Sequence, residues 1–295
     1  MTKRNRRITI AFSLLVVLGL AVYYFATHTV AVLQPRGVIA QKERNLMLLA
    51  FCLMLIVVLP VFFLTFWIVH KYREDKHADY RPDFSEHLGY ELTWWTIPGV
   101  LILILSIVTW HSTHALDPYK KIASTQPDLQ IEVVSLDWKW LFIYPYQHVA
   151  AVNTMPIPVN RPVTLYITSD APMNSLWIPQ LSGQIYAMPG MTTQLNLEAN
   201  HTGKYYGSSA NLSGNGFSDM HFYADAISTS SFNKWANQAR ATSPNLNIGL
   251  YNKLARPSVI KSPLYYSNPT KNLFEHIISE YMPKVFNPNK SKMEM

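Results

Sequence analysis

Five side chains between positions 209 and 220 have the spacing of a metal-binding loop. Ser209, Asn211, Ser213, Phe217 and Met220 stand at i, i+2, i+4, i+8 and i+11 within GSSANLSGNGFSDM. With thiolates at the first and third positions, an acid at the second and an imidazole at the fourth, this frame would hold a soft metal. Copper and zinc sites of this kind are built from deprotonated sulfur and neutral imidazole. Here both thiol positions are Ser and the imidazole position is Phe. Only Met220 keeps a donor atom, and a lone thioether does not hold a metal. The frame is expected to be empty and refilled for packing. Ser209, Asn211 and Ser213 would bond to loop backbone as turn residues do. Phe217 would be buried at the imidazole position, a gain of about 1.5–3 kcal/mol, and it leaves no ring nitrogen needing a partner.

Other chemistry is sparse. His148, His201 and His221 fit no metal template, and on a strand His221 would point away from its neighbour Met220. Cys52 is the single cysteine, so no disulfide and no cysteine-based metal site forms within one chain. No nucleophile–base pair and no phosphate loop is present, so the chain alone is not expected to be catalytic. The net charge of +7 raises the question of nucleic acid. No Lys/Arg stripe with interleaved aromatics occurs in the polar part, however, and much of the basic excess flanks apolar runs. That placement signals membrane topology, and no nucleic-acid partner is expected.

The long apolar runs lie before residue 115. Ile8–Leu33 reads either as a retained transmembrane helix or as a signal peptide with KRNRR as its basic region. Leu46–Val69 is a stretch of 24 residues without a charge. A charge at a helix centre would cost about 2.5–3.5 kcal/mol, and such a run reads as a membrane span. A second span covers about 92–114, with Trp94, Trp95 and Trp110 as interfacial anchors. Between the spans, HKYREDKHADYRPDFSEHLGYE carries Lys71, Arg73, Lys76 and Arg81. The positive-inside rule puts this stretch and the amino terminus in the cytoplasm, and everything after His114 on the outer side.

From Asp128 the hydrophobic pattern changes to period two. Leu136 and its neighbours, Val159–Ser169, Thr192–Leu197 and Met220–Ala226 read as short strands separated by Pro, Gly and Asn clusters, the pattern of an antiparallel sandwich or barrel. Ser231–Ala241 has helical spacing, with Phe232, Trp235 and Ala239 on one side. Phe274–Met282 is also helical, with apolar residues at 274, 277, 278 and 281–282. The aromatic run Trp138–Phe142 would offer an exposed apolar patch to a partner subunit or membrane surface. Four regions follow: an N-terminal hydrophobic segment (1–33), a transmembrane helical hairpin (34–127), a β-domain (128–228) and an aromatic-rich C-terminal extension (229–295).

The loop frame, taken with MNSLWIP (173–179), QIYAMPG (184–190) and the second span after Thr93-Trp94-Trp95-Thr96-Ile97-Pro98, resembles subunit II of the haem–copper oxidases over residues 34–285. In the cytochrome c-oxidising members this loop carries a dinuclear copper centre, and a His stands where Asn174 does. The pattern here is similar to the copperless, ubiquinol-oxidising branch, the bo-type oxidases. Asn211 and Tyr186 also depart from acidic residues that serve a magnesium site in copper-bearing members.

The resemblance implies a membrane-anchored all-β fold, with a cupredoxin-like Greek-key sandwich in the periplasm and the anchor in a bacterial inner membrane. It implies a non-catalytic subunit of a proton-pumping ubiquinol oxidase with no cofactor in this chain. Haems and copper would lie in a large subunit I, which with other small subunits, membrane lipid and ubiquinol would be the partners. Glu91, seven residues before Pro98, matches a glutamate near the entrance of a proton channel. Two other readings are a membrane-anchored cupredoxin-like electron carrier or copper-handling protein, which would need at least two His/Cys donors in the loop, and a respiratory-complex assembly factor.

Overall fold

The computed structural model describes residues 30–73 and 87–282, with scattered positions between 9 and 27. Most of the Ile8–Leu33 segment, the central part of the charged 70–91 stretch and the tail NPNKSKMEM lie outside the described residues. The chain divides into two compact units, one of residues 42–120 and one formed by 1–41 with 121–295.

The smaller unit is built on two long helices, α1 (Val38–Lys71) and α2 (Leu88–Ala115). At about 1.5 Å per residue, α1 is about 51 Å long, well beyond a hydrocarbon core of about 30 Å. It begins eight residues before Leu46, where the uncharged run starts. Both helices are apolar around their whole circumference, as membrane spans are. Their spanning windows bury no residue, and Trp94, Trp95 and Trp110 are exposed. Four of their hydroxyls are satisfied locally: Thr65, Thr93, Ser106 and Thr113 each donate to the carbonyl four residues back.

The larger unit is a two-sheet sandwich. Its strands are β1 (Leu129–Leu136), β2 (Lys139–Tyr144), β3 (Val149–Val152), β4 (Thr154–Pro158), β5 (Val163–Ser169), β6 (Asn174–Ile178), β7 (Ser182–Ala187), β8 (Thr193–Leu197), β9 (Gly203–Ser209), β10 (His221–Ile227) and β11 (Leu264–Ser267). One sheet runs β11-β3-β2-β1-β5-β8 and the other β4-β10-β9-β6-β7. The parallel pairs β1–β5 and β4–β10 interrupt otherwise antiparallel ladders, giving the crossed connections of a cupredoxin-like sandwich.

Between the sheets, Ile131, Val133, Trp140, Phe142, Met155, Leu165, Leu176 and Phe222 form the main core. The six-stranded sheet is covered on its other face as well. There Val134, Leu136, Leu141, Ile143, Ala150 and Val152 pack against Leu246, Tyr251, Leu273, Phe274 and Ile277 from the C-terminal extension. The extension comprises α3 (Thr229–Thr242), α4 (Ile248–Ala255), β11 and α5 (Leu273–Tyr281). The side chains of Ser228 and Asn247 cap α3 and α4 by accepting from the Ser231 and Leu250 amides. On α3, Phe232, Ala236 and Ala239 are buried, and Trp235 lies edge-on to Tyr144 at 5.1 Å.

This second layer corrects the expectation of an exposed aromatic patch. Lys139, Trp140, Leu141 and Phe142 are fully buried. Strand β2 lies inside a sheet with both faces covered, so Trp140 and Phe142 enter one core and Leu141 the other. On α5, residues 281–282 are exposed, so the buried face of that helix ends at Ile278.

The leg leading into α1 is stitched to the sandwich. The Arg36 amide donates to Gln180 O at 2.8 Å, the Asn200 amide to Arg36 O at 2.8 Å and the Ala40 amide to Leu181 O at 3.3 Å. Gly37 makes an isolated bridge with Ala199. A Cβ at Gly37 would stand 2.6 Å from Leu181 O, so only glycine admits this approach.

Candidate functional site: the closed loop frame

The loop frame lies between β9 and β10 and is closed by ordinary backbone bonds. The Ser209 amide donates to Met220 O at 3.1 Å, and the Ala210 amide to Ser175 O at 2.9 Å. These bonds bring three of the frame positions, Ser209, Ser213 and Met220, to Asn174 of β6. Asn174 Nδ2 donates to Ser213 Oγ and to Met220 Sδ, each at 3.2 Å. Ser209 Oγ donates to Asn174 Oδ1, which also accepts the Ser175 amide at 2.8 Å. Asn174, Ser209 and Met220 are buried. The groups at the frame positions therefore satisfy one another. This donor set does not fit copper, since two hydroxyls, a carboxamide and one thioether supply neither thiolate nor imidazole.

Asn211 sits at the rim, where its amide donates to Met173 O at 2.9 Å. Tyr186 is exposed on β7. Phe217 differs from the expectation. It opens a single 3-10 turn, Phe217–Asp219, is only half-buried and stands outside the main core. The packing comes instead from across the sandwich. Trp138, in the two-residue turn between β1 and β2 with a φ of 63°, donates its indole N–H to Ser213 O at 3.1 Å. A Cβ at Gly216 would come within 2.4 Å of the Trp138 ring, and Gly214 faces the same ring at a φ of 110°. The loop's glycines thus make room for an indole, a relation that loop spacing alone does not disclose.

Beside the frame, sequence reasoning missed two charged anchors. Asp170, at the end of β5, accepts hydrogen bonds from Tyr251 of α4 and from Tyr281 at 2.7 Å. Burial, followed by the bond to Asp170, pushes the Tyr281 phenol up to about 12 and raises Tyr251 further. Lys139 holds its ammonium among Asp137 O, Arg256 O, Ser258 O and Ser258 Oγ at 2.9, 2.9, 3.2 and 3.0 Å. Burial lowers its pKa. Both anchors bind the extension to the frame end of the sandwich.

His148 and His201 are exposed, and His221 stacks on Tyr206 with ring centroids 5.8 Å apart. Among the described residues no group of three or more His, Cys, Asp or Glu is placed to hold a metal. Cys52 is exposed on α1. Glu91 stands half-buried in the first turn of α2, with its amide donating to His87 O at 3.1 Å.

Two apolar spans followed by a cupredoxin-like sandwich and a helical, aromatic-rich extension define a membrane-anchored protein of the oxidase subunit II type. The family described as cytochrome c oxidase subunit II, periplasmic domain, matches residues 121–227, and the COX aromatic-rich motif matches 240–284. Cytochrome bo(3) ubiquinol oxidase subunit 2 of Pseudomonas aeruginosa is 46% identical over 248 residues, 84% of this chain and 75% of the relative. The protein of the same name from Buchnera aphidicola subsp. Schizaphis graminum is 44% identical over 253 residues, 85% and 87%. Quinol oxidase subunit 2 of Bacillus cereus is 36% identical over 78% of this chain and 80% of the relative. The solved periplasmic domain of cytochrome oxidase subunit II from Bradyrhizobium japonicum covers 40% of this chain and 98% of its own, at 21% identity and a TM-score of 0.38. The chain belongs to the subunit II family of the haem–copper oxidases, in its ubiquinol oxidase branch.

Proposed function

We propose that this chain serves a proton-pumping ubiquinol oxidase as an anchoring and structural subunit without a redox centre of its own. The haems and the oxygen-site copper reside in the large subunit I, where ubiquinol is oxidised. The anchor lies in a bacterial inner membrane, with the sandwich in the periplasm and Glu91 at the cytoplasmic end of α2. One observation carries the reading: the amide of Asn174 bridges Ser213 and Met220 where a copper-bearing relative would place its ligands. The atoms that would face a metal are engaged with each other, and none is a thiolate or an imidazole.

Metal analysis of the chain dissociated from its complex after copper loading tests this. Copper is expected only at trace level, with the copper of the intact complex retained by the large subunit. Near-stoichiometric copper on the dissociated chain would overturn the proposal in favour of a copper-handling role. Co-purification at fixed stoichiometry with the large subunit distinguishes a resident subunit from an assembly factor.

A further inference from the structure

A small cavity of about 170 Å³ opens between residues 121–128, which lead into β1, and the strands β5 and β8. Lys121, Ser124, Pro127, Asp128, Thr164 and Asn196 are among its lining residues. Asp128 accepts from Thr164 Oγ1 through Oδ2 at 2.9 Å, and its other carboxylate oxygen has no partner among the described residues. The Lys121 side chain is exposed, and its ammonium is likewise unpaired among them. A second cation stands at the same wall. Arg161 donates Nε to Pro127 O at 2.9 Å, and the rest of its guanidinium makes no bond to a described residue. One small site thus offers two cations and a carboxylate that do not pair with each other.

We propose that this cavity binds a phosphoethanolamine group, as the headgroup of a membrane phospholipid or as a free phosphodiester. The phosphate sits against Lys121 and Arg161, whose N–H groups make charge-assisted hydrogen bonds to its oxygens. The ammonium donates to the free oxygen of Asp128. A simple anion would be repelled by that carboxylate, and a simple cation would meet two positive charges. A group carrying both signs meets neither cost. A choline headgroup has no N–H to give, and a phosphoglycerol headgroup leaves Asp128 without a counter-charge. Two short connections tie the site to the membrane spans and favour the lipid as its source. Lys121 follows Ala115, the last residue of α2, by six residues, at most about 22 Å of extended backbone. The amide of Val38, the first residue of α1, donates to Glu198 O at 3.3 Å, two residues beyond Asn196. The uncharged run of α1 then begins eight residues later, about 12 Å along a helix.

The test uses the full chain in its oxidase complex, held in nanodiscs that differ only in headgroup. Hydrogen exchange is read over residues 121–129, where the Leu129 amide donates to Pro162 O of the cavity wall at 2.8 Å. Exchange there should be several-fold slower in phosphatidylethanolamine than in phosphatidylcholine or phosphatidylglycerol, with the amides of β2 unchanged. Asp128→Asn keeps an acceptor for Thr164 and removes the charge, and should abolish that preference. Lys121→Gln, at an exposed position, should weaken the protection without loss of the folded complex. Soluble glycerophosphoethanolamine, added to phosphatidylcholine nanodiscs, separates the two sources. Protection from the lipid assigns the membrane, and protection from the soluble compound alone assigns a free ligand. No protection from either would overturn the proposal. Equal protection in phosphatidylglycerol, or a preference that survives Asp128→Asn, would also overturn it.

Discussion

The Tyr251 hydroxyl donates to the Asp170 carboxylate, joining a helix of the C-terminal extension to the end of β5 across 81 residues of sequence. The same carboxylate receives Tyr281 through its other oxygen. One acidic residue therefore fixes two helices of the extension at the end of the sandwich where the closed frame lies. Hydrogen bonds to a charged acceptor contribute about 1.5–3 kcal/mol each. Asp170→Ala is expected to destabilise the domain by about 2–4 kcal/mol, allowing for incomplete additivity. Limited proteolysis of the complex should then cut within the extension before the sandwich. Unchanged cleavage kinetics would show that the apolar contacts of the extension suffice alone.

Gly37→Ala tests the leg that leads into α1. The added Cβ meets two carbonyl oxygens and a backbone carbon within 3 Å, none of which can swing aside as a side chain would. A loss of about 1–3 kcal/mol is expected, as for overpacking elsewhere. Hydrogen exchange reports it locally: the amides of Arg36, Val38 and Ala40, which donate to the sandwich, should lose protection. Protection equal to that of the unaltered chain would mean that the leg shifts to accept the methyl group.

Glu132 gives the domain a pH dependence. Burial, together with the nearby Glu275 carboxylate, pushes its pKa up to about 7 from an ordinary value of 4.5. Between those values the folded chain retains a proton that the unfolded chain has released. The folded state then binds more protons, and stability falls as pH rises from about 4.5 through 7. Denaturant midpoints for the domain should be lower at pH 8 than at pH 5, and Glu132→Gln should flatten that difference. An unaltered slope in the variant would assign the dependence to another group.

Glu91 is the residue proposed for proton entry. Glu91→Gln in the assembled oxidase should slow turnover several-fold with assembly unchanged, whereas Glu86→Gln should leave turnover as it is. Full turnover by Glu91→Gln would reduce it to a first-turn carboxylate favoured by the helix dipole.

The uncharged run before Val69 and the period-two pattern after Asp128 were legible because each records one environment over many residues. The frame was legible as spacing, and three of its five positions, Ser209, Ser213 and Met220, do meet, with Asn211 at the rim and Phe217 outside. Phe217 was misplaced because a missing imidazole suggests a vacancy behind it, while the room is taken by Trp138 from the β1–β2 turn. The run at Trp138–Phe142 was misread for a related reason. Alternation describes a strand with one wet face, and β2 has none, since Leu141 and Ile143 meet residues more than a hundred positions later. Asp170 and Gly37 left no local signal. Each acquires its role from a partner that only the folded chain brings near.

Strand β11 supplies the edge of the six-stranded sheet by pairing Leu264–Ser267 with Val149–Val152. Its position near the carboxy end of the chain has a kinetic consequence. While the ribosome is still adding α3 and α4, the free backbone of β3 is an open template, the kind of edge that invites pairing with another chain. The contact that seals it spans about 110 residues and is slow to find by diffusion. Until then the nascent sheet is most exposed to aggregation. The segment from α3 to β11 thus acts partly as an internal chaperone for the strands made before it.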